Sequence, residues 1–297
     1  MLLKPKFPLA QNLCDKNIVV TGVGYDSLGF ATATLLAQWG ANVIATSRAA
    51  QPALQHSLQE KAGKGQIRLL PLDLCESTSV EQFSEQVVDT FGNKLDVLIN
   101  CAGIHLDLMS KWKQAQRTDD GFEIHWRTNY LGTVQLTEQL LPALLNAAAD
   151  SEARIVNVSS MLHTRGSNQQ LWSGAQPYNS WVAYGLSKLA LMHYTYELQR
   201  RHAQKGLQSY CLHPGAINTP IANKGLATSP VAQAFTQALS PLQSLFMLSP
   251  EEGAQTQDLL GGRYYRNCKQ AMASADLQDD AVAQRLWDET QQWLAGQ

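Results

Sequence analysis

The sequence predicts one doubly wound α/β domain, a parallel sheet with helices on both faces. Three observations point there. Short β-branched runs alternate with helically spaced apolar residues through about the first 220 residues. The strand-like runs are continuously apolar, as strands covered on both faces are. A glycine-bearing turn joins the first strand to the first helix near the chain start.

Asn17 to Thr21, with Ile-Val-Val at its centre, reads as the first strand. Leu28, Ala31, Leu35 and Trp39 follow at helical spacing, and Gly40 suits the position just past that helix. Val43-Ile44-Ala45 is the second strand, Leu69 to Leu74 the third and Leu95 to Asn100 the fourth. Arg154 to Ser159 is the fifth and Leu207 to Leu212 the sixth. Enough chain separates each pair for a helix, and right-handed crossovers then wind the sheet in both directions. Thr164 to Trp181 is polar, with Gly, Asn, Gln and Pro, and reads as a long loop. Asn223 to Leu248 has no clean period; a substrate flap and an ordinary surface excursion fit it equally. Ser249-Pro250-Glu251-Glu252 is a helix start, with Ser as N-cap and Pro at the first helical position. Arg263-Tyr264-Tyr265 is expected as a last strand and Asp279 to Leu294 as a closing helix. Residues 1–297 are expected to form a single domain, with a core at about 15–220 and a substrate flap and C-terminal helices at about 221–297.

Composition narrows the class. Apolar residues make up 44% and charged ones 16% of the 297 residues, which suits a globular chain and argues against a disordered one. A net charge of −2 gives no electrostatic case for nucleic acid or an anionic membrane. None of the 5 cysteines forms a Cys-x-x-Cys pair, so small buried residues in a reducing compartment are favoured over disulfides or metal ligands. The 7 histidines show no metal spacing, and no metal is expected. Met1 to Pro8 contains no apolar h-region, and no stretch reaches ~18 uninterrupted apolar residues, so a cytoplasmic chain without a membrane span is expected.

The turn Thr21-Gly22-Val23-Gly24-Tyr25-Asp26-Ser27-Leu28-Gly29 suits a pyrophosphate, because glycines allow close backbone approach and the helix N-terminus faces the charge. A plain strand-to-helix turn is the alternative. The second strand ends at Thr46-Ser47-Arg48, where NAD enzymes usually carry an acid for the ribose hydroxyls. Two hydroxyls and a guanidinium there suit the 2′-phosphate of NADP instead. Asp26 argues the other way, and Arg48 also reads as a solvated loop residue, so NADP is favoured with NAD left open. Asp73 reads equally as an acceptor for the adenine amine or as a turn former. The small residues of Asn100-Cys101-Ala102-Gly103 would let the chain pass close to the adenosine ribose.

Tyr184-Gly185-Leu186-Ser187-Lys188 places an acid and a cation one turn apart on one helix face. Alone, the pair reads as a solvated helix pair. Ser160 ends a strand, and Asn129 stands inside a helical run where asparagine is a poor former. Met161, Leu162, Trp172 and Trp181 read equally as an apolar pocket or as packing.

These pieces together resemble the short-chain dehydrogenase/reductase family. They are Thr21-Gly22 through Gly29, Asn100 to Gly103, Asn129, Ser159-Ser160, Tyr184 through Lys188 and Pro214-Gly215 through Thr219, in family order over roughly residues 15 to 220. Ser249 to Ala254, Gly262-Arg263-Tyr264-Tyr265, Arg285-Leu286-Trp287 and Arg154 to Ser160 are similar to the retinol dehydrogenase-like branch. No counterpart of that branch's membrane-anchoring N-terminal helix is expected, and a retinoid substrate is not implied. There are departures. The glycine turn has one extra residue, Ser27 takes the middle glycine's place, Asp26 replaces a common basic residue, and Cys101 replaces an asparagine.

The resemblance implies a Rossmann-type fold and an NADP(H)-dependent oxidoreductase that interconverts an alcohol and a carbonyl, a ketone or aldehyde of a lipophilic or secondary-metabolite substrate. Tyr184 would be the acid and base, Ser160 would orient the substrate oxygen, and Asn129 would hold a water leading from Lys188 to solvent. Lys188 would hold the ribose hydroxyls, and backbone near Ile217 the carboxamide. Gly22, Ser27, Leu28, Gly29, Ser47, Arg48, Asp73, Leu74, Asn100, Ala102, Gly103, Pro214 and Thr219 would complete the cofactor contacts. Bringing a tyrosine from ~10 to about 7 needs roughly 4 kcal/mol. A lysine about 5 Å away supplies on the order of 3 kcal/mol. Enoyl reductases place their tyrosine where Trp181 stands, so C=C chemistry is disfavoured. A catalytically silent cofactor sensor or scaffold of the same fold is the alternative, and a homo-oligomer is left open.

Overall fold

The computed structural model describes residues 12–214, 262–266 and 269–297. β1 (Asn17–Val20) leads through the glycine turn to α1 (Leu28–Gln38), and β2 (Asn42–Ser47) to α2 (Pro52–Lys61). β3 (Gln66–Pro71), α3 (Ser77–Phe91) and β4 (Val97–Asn100) complete the first half. A long helical arm then runs as α4 (Ile124–Trp126), a π-helical turn (Arg127–Leu131) and α5 (Gly132–Asp150). β5 (Ala153–Val158), α6 (Ser180–His202) and β6 (Leu207–His213) follow, and β7 (Tyr264–Arg266), β8 (Lys269–Gln270) and α7 (Asp280–Leu294) close the chain.

The sheet order is β3-β2-β1-β4-β5-β6-β7-β8. β1 to β7 pair in parallel, and only the β7–β8 contact is antiparallel. The order reverses between β1 and β4, so a crevice opens beyond their carboxyl ends, where ligands of open α/β sheets bind. One apolar cluster packs α3, α5, α6 and α7 on one face of the sheet; a second packs α1 and α2 on the other. Helices on both faces are what the continuously apolar strands require.

The third strand lies earlier than expected, at Gln66–Pro71 rather than Leu69 to Leu74. It is the sheet edge, so Gln66 and Arg68 face solvent and hide it from an apolar search. Leu72 and Leu74 are core residues of the loop that follows. The polar segment after Ser160 forms two 3-10 turns (Met161–Arg165 and Asn168–Gln170), and α6 begins at Ser180, inside the expected loop. Among the described residues no helix is long and apolar enough to cross a membrane. The Asn223–Leu248 segment, the Ser249 helix start, Ile217 and Thr219 lie outside the described residues.

Candidate active site

The glycine turn is built by contacts a side chain would break. Gly22 has φ +74°, and a Cβ there would lie 2.6 Å from the Ala102 Cα. Thr21 ties the same two segments, its Oγ1 accepting from the amides of Cys101 and Ala102 at 3.0 Å each. Ser27 is the N-cap of α1: its Oγ accepts from the Phe30 and Gly24 amides at 3.0 Å each. A hydroxyl that braces the turn from inside accounts for a serine where the family has a glycine. Asp26 takes the left-handed conformation, φ +56°, and faces solvent. The first-turn amides of α1 point out of the helix toward this crevice, an arrangement that fits a pyrophosphate.

Other cofactor candidates are placed at the same sheet edge. Ser47 ends β2 and Arg48 follows it, exposed. Asp73 accepts from the Cys75 amide at 2.9 Å, which makes it a turn former with its carboxylate partly exposed. The Leu28 and Leu74 side chains are buried in the two apolar clusters, and the Leu74 carbonyl accepts from the buried Arg127 at 2.6 Å. Any cofactor contact of either leucine is through backbone. Asn100 turns its side chain inward, donating to Asn157 at 2.8 Å and Thr137 at 3.1 Å. Gly103 lies against both Asn129 and Lys188, each 3.3 Å from where its Cβ would stand. Pro214 follows directly on β6.

Tyr184 and Lys188 share a face of α6. Both are buried, at 8% and 4% exposure, with the Lys188 Nζ 5.8 Å from the phenol centroid. The ammonium donates to the Val158 carbonyl at 2.9 Å, just before the strand end that carries Ser160. Burial pushes Tyr184 up to about 12, against the pull of its side-chain hydrogen bond with Ser160. Burial also pulls Lys188 down to about 8. The lysine one turn away therefore does not by itself bring the tyrosine near neutrality, because burial works against the charged form of each. The phenol rests protonated.

Asn129 sits in the π-helical turn, where the Gly132 amide reaches back five residues to the Arg127 carbonyl. Its Oδ1 accepts from the Ile104 amide at 2.8 Å, and its Nδ2 donates to the Ile104 carbonyl at 2.9 Å and to Ser187 Oγ at 3.1 Å. Both amide hydrogens are thus committed to protein groups.

One neighbour escaped the sequence reading. His105 stacks on the Tyr184 ring with centroids 4.2 Å apart, and Trp181 meets its edge at 4.7 Å. His125 and Glu123 stand behind it, joined at 2.7 Å. A lone histidine in a loop carries no periodic signal; only its place two residues after Gly103 hinted at the site.

The model of the short chain dehydrogenase family matches residues 16–229. Human retinol dehydrogenase 11 is 33% identical over 285 residues, covering 92% of this chain and 84% of the relative. Human retinol dehydrogenase 13 is 30% identical over 298 residues, covering 95% and 86% respectively. The crystal structure of an uncharacterized protein from Mycobacterium paratuberculosis superposes with TM-score 0.70 at 30% identity, covering 96% of each chain.

Proposed function

This chain belongs to the short-chain dehydrogenase family and is an NAD(P)-dependent oxidoreductase acting on CH–OH groups; from that premise we propose that it uses NADP(H) and Tyr184 to interconvert a lipophilic alcohol and its carbonyl. The observation that carries the reading is the buried Tyr184, hydrogen-bonded to Ser160 with Lys188 one turn along the same helix face. A nicotinamide cofactor, when bound, would supply or accept the hydride.

Every other step falls to side chains of this chain. Tyr184, protonated at rest, gives its proton to the substrate oxygen in reduction and takes it back in oxidation. Ser160 Oγ, fixed by the Leu162 amide at 3.2 Å, holds that oxygen beside the phenol. Lys188 stabilises the phenolate as it forms and binds the ribose hydroxyls. Asn129 holds the Ile104 backbone and would hold a water leading from Lys188 to solvent. Arg48, exposed past the end of β2, pairs with the 2′-phosphate and sets the preference for NADP. Met161, 46% exposed beside Ser160, supports an apolar substrate, as do relatives named for retinol. The cysteine usage supports a cytoplasmic enzyme.

The test is NADPH oxidation across a panel of aliphatic and aromatic aldehydes and ketones. Consumption with apolar members is expected. Tight NADPH binding without consumption across the panel would point to a sensor instead.

A further inference from the structure

The imidazole against Tyr184 is held with unusual care. The His105 plane lies 12° from the phenol plane at 4.2 Å, a face-to-face stack. Its loop is pinned on both sides of the residue. Asn129 takes both backbone groups of Ile104, at 2.8 Å and 2.9 Å. His125 Nε2 accepts from the Leu106 amide at 2.9 Å. His125 is itself fixed by Glu123 at 2.7 Å, and Glu123 receives the Tyr178 hydroxyl at 3.1 Å. Trp181 closes on the imidazole edge at 4.7 Å and is anchored through its own N–H to the Leu108 carbonyl at 3.1 Å.

Among the described residues no hydrogen bond of the ring explains this placement. His105 is 7% exposed, yet its Nε2 has no partner among the described residues. Burial and the neighbouring His125 keep it neutral, with a pKa of about 4, so it brings no charge to the phenol. What remains is its shape: a flat plate parallel to the Tyr184 ring.

We propose that His105 is a positioning residue that stops the Tyr184 side chain from swinging toward its stacked face and so keeps the hydroxyl at Ser160 and the substrate oxygen. The hydroxyl oxygen lies on the Cβ–Cγ axis, so it is displaced when the side chain swings about Cα–Cβ, and a plate pinned to one face of the ring blocks that swing. A misplacement of ~1 Å at a reacting group costs on the order of 100-fold in rate. The inference rests on Tyr184 being the acid.

The test compares His105→Ala, His105→Phe and Tyr184→Phe for kcat, KM, NADPH affinity and thermal midpoint. His105→Ala is expected to lower kcat by roughly 10- to 100-fold, with NADPH affinity within about twofold of the parent. His105→Phe restores the plate without the nitrogens and is expected to return kcat to within about threefold. A parental kcat in His105→Ala, or a His105→Phe as slow as His105→Ala, overturns the proposal. If the alanine variant melts early, the phenylalanine variant still decides. Turnover in Tyr184→Phe would sink the acid assignment itself; an inactive Tyr184→Phe beside an unimpaired His105→Ala sinks the His105 role alone.

Discussion

The Asn129 carboxamide grips both backbone groups of Ile104, accepting from the amide at 2.8 Å and donating to the carbonyl at 2.9 Å. Asn129 makes these contacts from within the π-helical turn, a local widening of the helix that recurs at functional sites. Asn129→Ala leaves those two groups without their partner at a half-buried position. A loss of about 2–3 kcal/mol in urea-unfolding stability is expected, together with slower turnover. Unchanged stability would mean that water replaces the carboxamide without penalty.

Gly22 is required by sterics before any cofactor arrives. Its φ of +74° and the 2.6 Å gap from a built Cβ to the Ala102 Cα exclude a methyl group. Gly22→Ala is expected to cost about 1–3 kcal/mol and to weaken NADPH binding, read by denaturant midpoint and by titration. A variant as stable as the parent contradicts the close approach of these two segments.

Arg48 follows β2 at the sheet edge that faces the adenosine ribose in folds of this kind. Arg48→Asp replaces a partner of the 2′-phosphate by a repelling charge. NADPH affinity is expected to fall by ~10-fold or more while NADH affinity changes little. Equal losses for both cofactors, measured by fluorescence titration, would remove the argument for NADP.

Lys188 makes stability depend on pH with a definite sign. Its folded pKa is lowered to about 8 from 10.5 by burial, so the unfolded chain holds the extra proton between those values. Stability from this group therefore rises as pH climbs from 8 toward 10.5, and the burial cost is fully present below 8. Lys188→Met removes that rise. Unfolding free energies of parent and variant, compared between pH 7 and about 10, are expected to converge on a smaller gain for the variant. Parallel profiles would show that the ammonium is better solvated than its burial implies.

Much of this molecule is legible in its sequence, and the parts that are not have a common cause. The strand runs of β1, β2, β4 and β5 are short, largely apolar and rich in β-branched residues, so they announce themselves. β3 does not, because Gln66 and Arg68 lie on an edge strand whose outer side needs no apolar residue. Tyr184, Lys188, Ser160 and Asn129 are found from the motifs and are brought to one sheet edge. His105 is invisible until the loop after Gly103 folds back on α6, since stacking is a tertiary relation with no period. The Tyr184 pKa is a similar case: the spacing reveals the nearby lysine but not the burial that pushes the phenol up to about 12.

The account stands most directly on the phenol hydroxyl of Tyr184. Tyr184→Phe deletes that one oxygen while keeping the ring, the His105 stack and the cofactor crevice. Steady-state NADPH oxidation with an accepted carbonyl substrate, read beside an NADPH titration, isolates its role. A fall in kcat of ~10²- to 10⁴-fold with unchanged NADPH affinity is expected. Turnover within a few-fold of the parent would contradict the assignment of Tyr184 as the proton donor.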